Sequence, residues 1–393
     1  MSVAATPAVR RAAAELGAAD GPALLFDLGV VRDRMTRARA AAKAAGDAAT
    51  TAGDAATKIG HAMAGIELLF AVKSFPLPEA IALAVEHLDG LDVAGPEEQA
   101  AALAVPPTNV SVTWPGDVDV GLLAALAARH RVTAVCETAA QLAAAATVAG
   151  VTLALRLASD DDSRFGIAPG ELGAMIAAAA SGGADLHGGV ALRERVRALH
   201  VHGGPLATSP STIAVRARRA CEAASAAGIA LEQLDLGGSL HGFALAHATS
   251  GQSLLADAFA AARAAVPAHV RVLFEPGRLW TEGAGFACGR ILAARDLPRE
   301  VRVLELSRLC HLRWSTPKLV APPPRAGEPR VAVTLLGATC CEDDLIGDAR
   351  VPPEFLAQLE PGARVLLAGV TGYAAGWNRA FAGVPAARIV TVA

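Results

Sequence analysis

The sequence at residues 68–74, Leu68-Leu69-Phe70-Ala71-Val72-Lys73-Ser74, places five apolar residues directly before a lysine. A continuous apolar run of this length is typical of a strand that is buried on both faces, as in a parallel sheet. Burying a lysine at the end of such a strand costs free energy unless the amine is used. The stretch therefore predicts a central parallel strand with a candidate functional group at its carboxyl end.

The lysine itself is unusual in this chain, because arginine supplies nearly all of the positive charge. The chain holds four lysines, Lys43, Lys58, Lys73 and Lys318, among 35 lysines and arginines. Lysine can lose its proton and form a Schiff base, whereas arginine stays charged. The alternative is a lysine that extends its amine from a strand end to solvent. The residues of this stretch alone favour neither interpretation over the other.

Composition excludes several functional classes. The net charge of −3 over 393 residues gives no electrostatic footprint for nucleic acid. No apolar run is long enough to span a bilayer, and the first residues lack the apolar core of a signal peptide. The six cysteines show neither zinc spacing nor a disulfide framework. We therefore expect a cytoplasmic protein with no metal site and no membrane or nucleic-acid partner.

Eight apolar segments alternate with mostly alanine-rich stretches of helical character. The predicted strands are Leu68–Lys73, Leu91–Ala94, Asn109–Trp114, Val132–Glu137, Thr152–Ala158, Arg197–Gly203, Gln233–Gly238 and Arg271–Gly277. Eight such alternations favour an α/β fold, a (β/α)8 barrel of the TIM type, in which functional residues lie at the carboxyl ends of the strands. An open, doubly wound sheet is the competing architecture. The predicted strand ends carry Lys73, Asp92, Arg156, His202, Gly237, Gly238 and Glu275.

The pattern changes after about residue 280. Short β-type runs with little room for helices between them predict an antiparallel β-barrel or sandwich, and they are Gly289–Ala293, Val301–Leu306, Arg330–Leu336, Arg364–Gly369 and Arg388–Val392. We expect a barrel domain at 21–280 and an all-β domain at 281–393 that includes residues 1–20. A duplicated heptad at 45–58 lacks large apolar residues, and it predicts a surface insertion.

Six motifs now occur in an order that resembles a known family. They are Phe70-Ala71-Val72-Lys73-Ser74, His200-Val201-His202-Gly203-Gly204, Leu234-Asp235-Leu236-Gly237-Gly238, Phe274-Glu275-Pro276-Gly277-Arg278, Gly337-Ala338-Thr339-Cys340 with Asp344, and Gly372-Tyr373. They are similar to motifs of the pyridoxal-phosphate enzymes with the alanine racemase fold. The similarity extends over residues 21–385 and is strongest to the branch of diaminopimelate, ornithine and arginine decarboxylases.

The resemblance implies pyridoxal 5'-phosphate as the cofactor and a role for each matching residue. Lys73 would hold the cofactor aldehyde as an imine, and His202 would stack on the pyridine ring. His200, two residues back, is expected to be structural. The family residues near the phosphate match Gly237, Gly238, Ser239, Gly277, Arg278 and Tyr373, the last being the only tyrosine of the chain.

Glu275 distinguishes a decarboxylase from a racemase within this resemblance. A carboxylate beside the pyridine nitrogen keeps that nitrogen protonated, so that the ring accepts electrons strongly and can stabilise the quinonoid that decarboxylation leaves. Racemases of the fold typically have an arginine there. Asp92 and Arg156 match positions that organise the site around the imine, with a buried ion pair as the alternative. Pro205 replaces an expected serine, and Arg164 lies in a turn that we expect to be structural.

The resemblance also implies a homodimer with shared active sites. Cys340, in the β domain, would protonate the product carbanion in the partner chain's barrel, as in the decarboxylase branch. Arg313 or His311, together with Asp344, would contact a small amino-acid-like substrate. A subgroup that acts on siderophore, antibiotic or carrier-bound intermediates varies most around residues 304–313. A racemase on the same scaffold and a non-catalytic regulatory relative are the alternative functions.

Overall fold

The structure is a computed structural model of the chain. It describes residues 4–17, 20–53, 65–106, 108–160, 162–181, 186–187, 190–203, 209–240, 254–296 and 299–393. The chain forms two compact units. One consists of Arg34–Lys73 and Pro78–Leu279, and the other of Met1–Asp33, Ser74–Leu77 and Trp280–Ala393.

The first unit is a closed barrel of eight parallel strands. In barrel order these are Ile66–Ala71, Gly90–Val93, Asn109–Thr113, Arg131–Cys136, Thr152–Arg156, Val196–His200, Gln233–Asp235 and Arg271–Phe274. Each corresponds to one of the eight predicted strands, so the predicted barrel is confirmed and the open sheet is excluded. The strand Ile66–Ala71 is almost entirely buried, as its apolar run predicts.

Lys73 lies just beyond its strand. The strand ends at Ala71, and Val72–Ser74 forms a turn of 3₁₀ helix. The predicted strand therefore ends two residues too late, because the apolar run continues through Val72 while the backbone already turns. Lys73 lies in this turn, and its side chain is 44% exposed.

Helices precede, connect and follow the barrel strands, and polar side chains fix where several of them begin. Thr138 and Gln141 form a reciprocal capping box, while Asp119 and Ser209 cap two further helices. The helices are Leu28–Gly53, Pro78–His87, Pro96–Leu103, Val120–Ala127, Ala139–Ala146, Leu172–Ala179, Leu192–Arg195, Pro210–Ala226, Leu254–Ala265 and Arg278–Thr281, with a 3₁₀ turn at Pro169–Glu171 and a short hairpin of Leu186–His187 and Val190–Ala191.

The second unit contains an eight-stranded, mostly antiparallel sheet. Its main path runs in the order Lys318–Leu319, Arg364–Val370, Gly285–Arg295, Val301–Leu304, Val331–Leu336 and Leu345–Val351. Ala23–Asp27 and Arg388–Val392 complete it, while short helices lie at Pro7–Ala14, Pro353–Leu356 and Tyr373–Trp377. The strand Leu345–Val351 was not predicted, because a glycine and two charged residues interrupt its apolar pattern.

The boundary between the units differs from the predicted domain boundary at residue 21. Ala23–Asp27 pairs with Gly285–Arg295 on one side and Arg388–Val392 on the other, so it belongs to the second sheet. The helix Pro7–Ala14 packs its fully buried Val9 into an apolar cluster that also contains Leu25 and Phe286. Residues 21–33 therefore belong to the second unit, called the β unit from here on. The strand Ala23–Asp27 pairs with strands that are distant in the sequence, although the barrel segment follows it directly along the chain.

The duplicated segment 45–58 is only partly described. Its first copy and the start of the second continue the helix Leu28–Gly53, and residues 54–58 lie outside the described residues. This part of the predicted surface insertion is therefore helical. Among the described helices, none combines the length and the apolar character that crossing a membrane requires.

Candidate active site

A pocket opens at the carboxyl ends of the barrel strands. Acidic, basic and aromatic side chains line it, namely Lys73, Asp92, Trp114, Glu137, Arg156, Phe165, His200, His202 and Glu275. Parallel strands bring their carboxyl ends to one face of a barrel, which explains why residues far apart in the chain meet here. The sequence predicted Lys73, Asp92, Arg156, His202 and Glu275 for this face, and the structure brings all five together.

Lys73 and Asp92 form an ion pair at the rim of this pocket. Lys73 Nζ donates a hydrogen bond to Asp92 Oδ2 at 2.8 Å, and the side chain of Asp92 is 2% exposed. Burial and repulsion by Glu275 raise the pKa of Asp92 to about 6, and attraction by Lys73 opposes this rise. The pair holds the amine of Lys73 at a fixed place in the pocket.

His200, Asp235 and Glu275 form a buried cluster at the carboxyl ends of three neighbouring barrel strands, the first two ending their strands and Glu275 following the third. His200 Nε2 lies 3.2 Å from Glu275 Oε2, and Asp235 Oδ1 accepts a hydrogen bond from the Gly237 amide at 2.8 Å. Burial alone would raise the pKa of Glu275, but the charge and the hydrogen bond of His200 lower it below its ordinary value. Glu275 is therefore ionised at neutral pH.

A glycine turn follows the strand that ends at Asp235. Gly237 has a φ of +65°, and a Cβ placed there would lie 2.9 Å from His202. A Cβ at Gly238 would lie 2.7 Å from the carbonyl oxygen of Glu275. Glycine is therefore required at both positions, since a side chain would displace His202 or the backbone of Glu275. Ser239 follows in the same turn and also has a positive φ, of 69°.

His202 lies beside this turn and is mostly buried. Burial and repulsion by His200 lower the pKa of His202 to about 4. Its imidazole is therefore neutral at physiological pH. A neutral, flat ring at this place can stack on an aromatic ligand without carrying a charge into the pocket.

Arg156 closes another side of the pocket. Its guanidinium lies 3.7 Å from Glu137 and 4.7 Å above the ring of Phe165. Glu137 also accepts a hydrogen bond from the Gly166 amide at 2.9 Å. The predicted turn at Arg164 therefore presents Phe165 to Arg156. Residues 204–208, including Pro205, lie outside the described residues.

Sequence reasoning missed three polar residues near the site. Glu137 ends a predicted strand but matched no motif, and Asp235 lies within a motif that drew attention only to its glycines. Arg216 lies on the helix Pro210–Ala226, where only its position two turns into an amphipathic helix could have indicated it. Its guanidinium packs over Gly203 and donates to the Leu236 carbonyl at 3.3 Å.

In the β unit, the side chains of Asp344 and His311 are hydrogen-bonded to neighbouring residues of the same unit. The Asp344 carboxylate accepts hydrogen bonds from Ser307 Oγ, Thr339 Oγ1 and two backbone amides, and it is 2% exposed. His311 is fully buried, and its ring nitrogens bond to the Ser307 amide and the Pro385 carbonyl. These contacts favour a structural role for both, rather than the substrate contact expected from the sequence.

Arg313 and Tyr373 instead lie in an aromatic group of the β unit. Trp314 packs edge-on against Tyr373 and Trp377, with ring centroids 5.0 and 5.8 Å apart respectively. The exposed Arg313 stacks 4.6 Å above Trp377, and Arg379 stacks on the same ring at 5.2 Å. Arg313 therefore remains accessible to a ligand.

Cys340 lies in an exposed turn of the same unit. Both Cys340 and its neighbour Cys341 are exposed, free thiols. The turn is anchored by Asp344, which binds the amide and hydroxyl of Thr339. The two neighbouring thiols therefore lie at the surface of their own unit.

Gly277 and Arg278 lie at the start of a short helix that follows the last barrel strand, and both are half-buried.

Comparisons with known proteins agree with this architecture. The family profile described as "Pyridoxal-dependent decarboxylase, pyridoxal binding domain" matches residues 53–282. No curated protein sequence matches the chain. Solved structures show the same fold, among them the arginine decarboxylase of Paramecium bursaria Chlorella virus bound to agmatine, with 17% identity, a TM-score of 0.74, and coverage of 98% of this chain and 99% of that chain.

Two further solved structures are similar over nearly their whole lengths. The lysine/ornithine decarboxylase of Vibrio vulnificus complexed with cadaverine is 20% identical, with a TM-score of 0.70 and coverage of 98% and 97%. A point mutant of the diaminopimelate decarboxylase of Helicobacter pylori, complexed with L-lysine, is 16% identical, with a TM-score of 0.72 and coverage of 95% and 91%. At this identity the likeness shows the fold, and the profile match shows the family. The chain belongs to the pyridoxal-dependent decarboxylases.

Proposed function

We propose that this pyridoxal-phosphate-dependent carboxy-lyase removes a carboxyl group from an amino acid or an amino-acid-derived intermediate. In this proposal Lys73 binds the cofactor aldehyde, Glu275 faces the pyridine nitrogen, and the turn at Gly237, Gly238 and Ser239 receives the phosphate. Gly277, Arg278 and Tyr373 are expected to contribute to the phosphate end. Asp92 and Arg156 hold the residues around the lysine in place.

The state of Glu275 is the observation that supports this proposal most. Its carboxylate is 4% exposed and ionised, and Oε1 is buried with no hydrogen-bond partner among the described residues. A buried carboxylate is costly unless its charge is compensated, and a pyridinium N–H would both compensate this charge and donate a hydrogen bond to it. A racemase with an arginine at this position would lack this acceptor.

The glycine turn also fits the cofactor. Gly237 and Ser239 have positive φ in this turn, and no Cβ from Gly237 or Gly238 narrows the approach of an anion to its backbone. The neutral ring of His202 lies against the same turn and can stack on the pyridine. The fit therefore includes both the polar and the flat parts of the cofactor.

Within this arrangement each of the chain's own residues has a separate role. When bound, the cofactor draws electrons from the substrate carbon that loses carbon dioxide. Glu275 holds a proton at the pyridine nitrogen, and His202 covers one face of the ring. Lys73, paired with Asp92 at 2.8 Å, is positioned for exchange with the substrate amine. Trp114 and Phe165 form apolar parts of the pocket wall beside these groups.

We further propose that Cys340 returns a proton to the substrate carbon in the site of a partner chain. Its exposure in the β unit leaves the thiol available to a second copy. The proposal therefore includes a homodimer of C₂ symmetry with sites built from both chains. Neither Asp344 nor His311 is needed for this step, because both serve the local structure of the β unit.

For the substrate, we propose an amino acid that carries a second acidic group. The exposed Arg313 stacks on Trp377 at 4.6 Å, and its planar fork suits a carboxylate. The arginine and lysine/ornithine decarboxylases with this fold were crystallised with the amines agmatine and cadaverine. A basic amino acid is therefore the competing substrate class.

One experiment tests the central assignment. Sodium borohydride should fix the cofactor to Lys73 in the purified holoenzyme, and peptide mass mapping should locate it there. Lys73→Ala should lose this label, while Lys43→Ala, an exposed lysine on the same unit, should keep it. Carbon dioxide release from a panel of L- and D-amino acids then identifies the substrate. Label on another lysine would contradict the proposal, and release from none of the panel would exclude free amino acids and leave an amino-acid-derived intermediate as the substrate.

A further inference from the structure

The buried cluster of His200, Asp235 and Glu275 contains two carboxyl groups beside a single histidine. The three residues are 2%, 2% and 4% exposed, and one ligand atom of each lies within 4.8 Å of the others. Two ionised carboxylates so close together repel strongly in a buried site. One histidine can compensate one of them, so the other carboxyl group is expected to keep a proton.

Geometry decides which carboxyl group that is. Glu275 Oε2 bonds to His200 Nε2 at 3.2 Å, whereas Asp235 Oδ1 accepts from the neutral Gly237 amide. Asp235 Oδ2, Glu275 Oε1 and His200 Nδ1 are all buried with no hydrogen-bond partner among the described residues. A proton on Asp235 Oδ2 would turn this oxygen into a hydrogen-bond donor toward the carboxylate of Glu275.

The other carboxylates around Asp235 act in the same direction. His200 lies on the strand at one side and Glu275 follows the strand at the other, while the charge of Asp92 also repels that of Asp235. Lys73 and His202 line the pocket beside Glu275 and Asp92, and Lys73 pairs with Asp92 rather than with Asp235. Burial and then repulsion by Glu275 raise the pKa of Asp235 well above its ordinary value.

We propose that Asp235 is a positioning residue that stays protonated, so that Glu275 alone carries the negative charge offered to the cofactor. The same carboxyl group binds the Gly237 amide, and Gly237 in turn accepts a backbone hydrogen bond from Glu275 at 2.9 Å. Asp235 therefore joins the proposed phosphate turn to the proposed partner of the pyridine nitrogen. The inference rests on the proposed function only for the identity of that ligand.

The isosteric variant Asp235→Asn provides the sharpest test, because an amide imitates a protonated carboxyl group. Its oxygen can accept from Gly237 and its nitrogen can donate within the cluster. We expect Asp235→Asn holoenzyme to bind pyridoxal phosphate within about threefold of wild type and to keep its absorption spectrum. Asp235→Ala, which lacks both groups, should bind at least tenfold more weakly, about 1.4 kcal/mol.

Thermal unfolding provides a readout that does not depend on activity. A carboxyl group whose pKa is raised in the folded state contributes stability at low pH, and this contribution is lost as the pH rises above the pKa of the unfolded chain, about 4. Asparagine has no such loss. The melting temperature of Asp235→Asn minus that of wild type should therefore increase steadily between pH 4.5 and pH 7.5.

The outcomes separate this inference from the proposed function. A pH-independent difference in melting temperature, or an Asp235→Asn protein as weak in cofactor binding as Asp235→Ala, would overturn the protonated state. Stoichiometric divalent metal in the purified holoenzyme would also overturn it, because all three side chains would then be ligands. Failure of borohydride to label Lys73 in wild type would instead contradict the proposed function, and the melting-temperature comparison would still decide the inference.

Discussion

Lys73 Nζ lies 2.8 Å from Asp92 Oδ2, at the carboxyl ends of adjacent barrel strands. The lysine is 44% exposed and the aspartate 2% exposed, so the amine reaches the open pocket while its partner is buried beneath it. Such a pair can keep the lysine in place without enclosing it. In the proposed function this lysine binds the cofactor aldehyde, a role that the strand alone did not decide.

Replacing Asp92 by asparagine should change how stability depends on pH. Burial, together with repulsion by Glu275, raises the pKa of Asp92 to about 6, above the value of 3.8 for a free side chain. The unfolded chain therefore releases this proton first, and the free energy of unfolding falls as the pH rises between about 4 and 6. The loss is on the order of 1–3 kcal/mol.

Denaturant titrations of wild type and Asp92→Asn at pH 4.0 and pH 6.5 measure this contribution. Wild type should lose more stability over this interval than the variant does. Parallel losses in the two proteins would show that Asp92 is ionised throughout, and that Lys73 stabilises its charge more than burial and Glu275 oppose it.

Glu275→Gln should separate cofactor binding from chemistry. The amide keeps the shape of the side chain but loses the charge proposed to face the pyridine nitrogen, so we expect nearly full cofactor occupancy and a large fall in kcat. Losing one such charge contact typically costs about 3–4 kcal/mol in the transition state. The exposed Glu232→Gln is a matched control that should retain wild-type kcat. Turnover near wild type in Glu275→Gln would remove the argument against a racemase.

Arg313→Ala should raise KM more than it lowers kcat, because a contact to a second acidic group exists before and during the reaction. Arg379→Ala is the matched control, since both guanidinium groups stack on Trp377. Steady-state kinetics of both variants, on the substrate that the panel identifies, give the KM and kcat values to be compared. Equal turnover of lysine or ornithine and an acidic amino acid would rule out recognition of a second carboxylate.

Mixing Lys73→Ala with Cys340→Ala tests whether active sites are shared between chains. Each variant should be nearly inactive alone, and a random equal mixture should regain at most about a quarter of the sites, because half of the dimers are heterodimers with one complete site of two. Cys341→Ala, the neighbouring exposed thiol, should retain activity. Subunit exchange shown by mass spectrometry without recovered turnover would mean that Cys340 does not serve the partner.

Gly238→Ala should weaken cofactor binding by at least tenfold. Its Cβ would lie 2.7 Å from the carbonyl oxygen of Glu275, so the backbone on one side of the turn must move. Gly95→Ala, where nothing lies within 4 Å of the added Cβ, is the control for replacing a glycine in the same barrel. Titration of the cofactor-free proteins with pyridoxal phosphate gives both affinities. Equal affinities would show that the turn adapts to a side chain.

The amino-acid sequence by itself determined the barrel and most of the residues at its mouth. Eight apolar runs separated by helical stretches leave few alternatives, because every parallel strand needs a crossover that covers the sheet. The same repetition places Lys73, Asp92, Arg156, His202 and Glu275 at strand ends, where the structure brings them together. The family resemblance of these motifs indicated the cofactor, and the profile match confirmed it.

Only the tertiary structure decided which polar groups lie together in the barrel and which are hydrogen-bonded within the β unit. No spacing in the sequence predicts that Asp235 lies beside Glu275, or that Asp344 and His311 are fully engaged within the β unit. The membership of Ala23–Asp27 in the second sheet depends in the same way on partners more than 250 residues away. Periodicity reports local burial, whereas pKa values and sheet partners depend on contacts between segments that are distant in the chain.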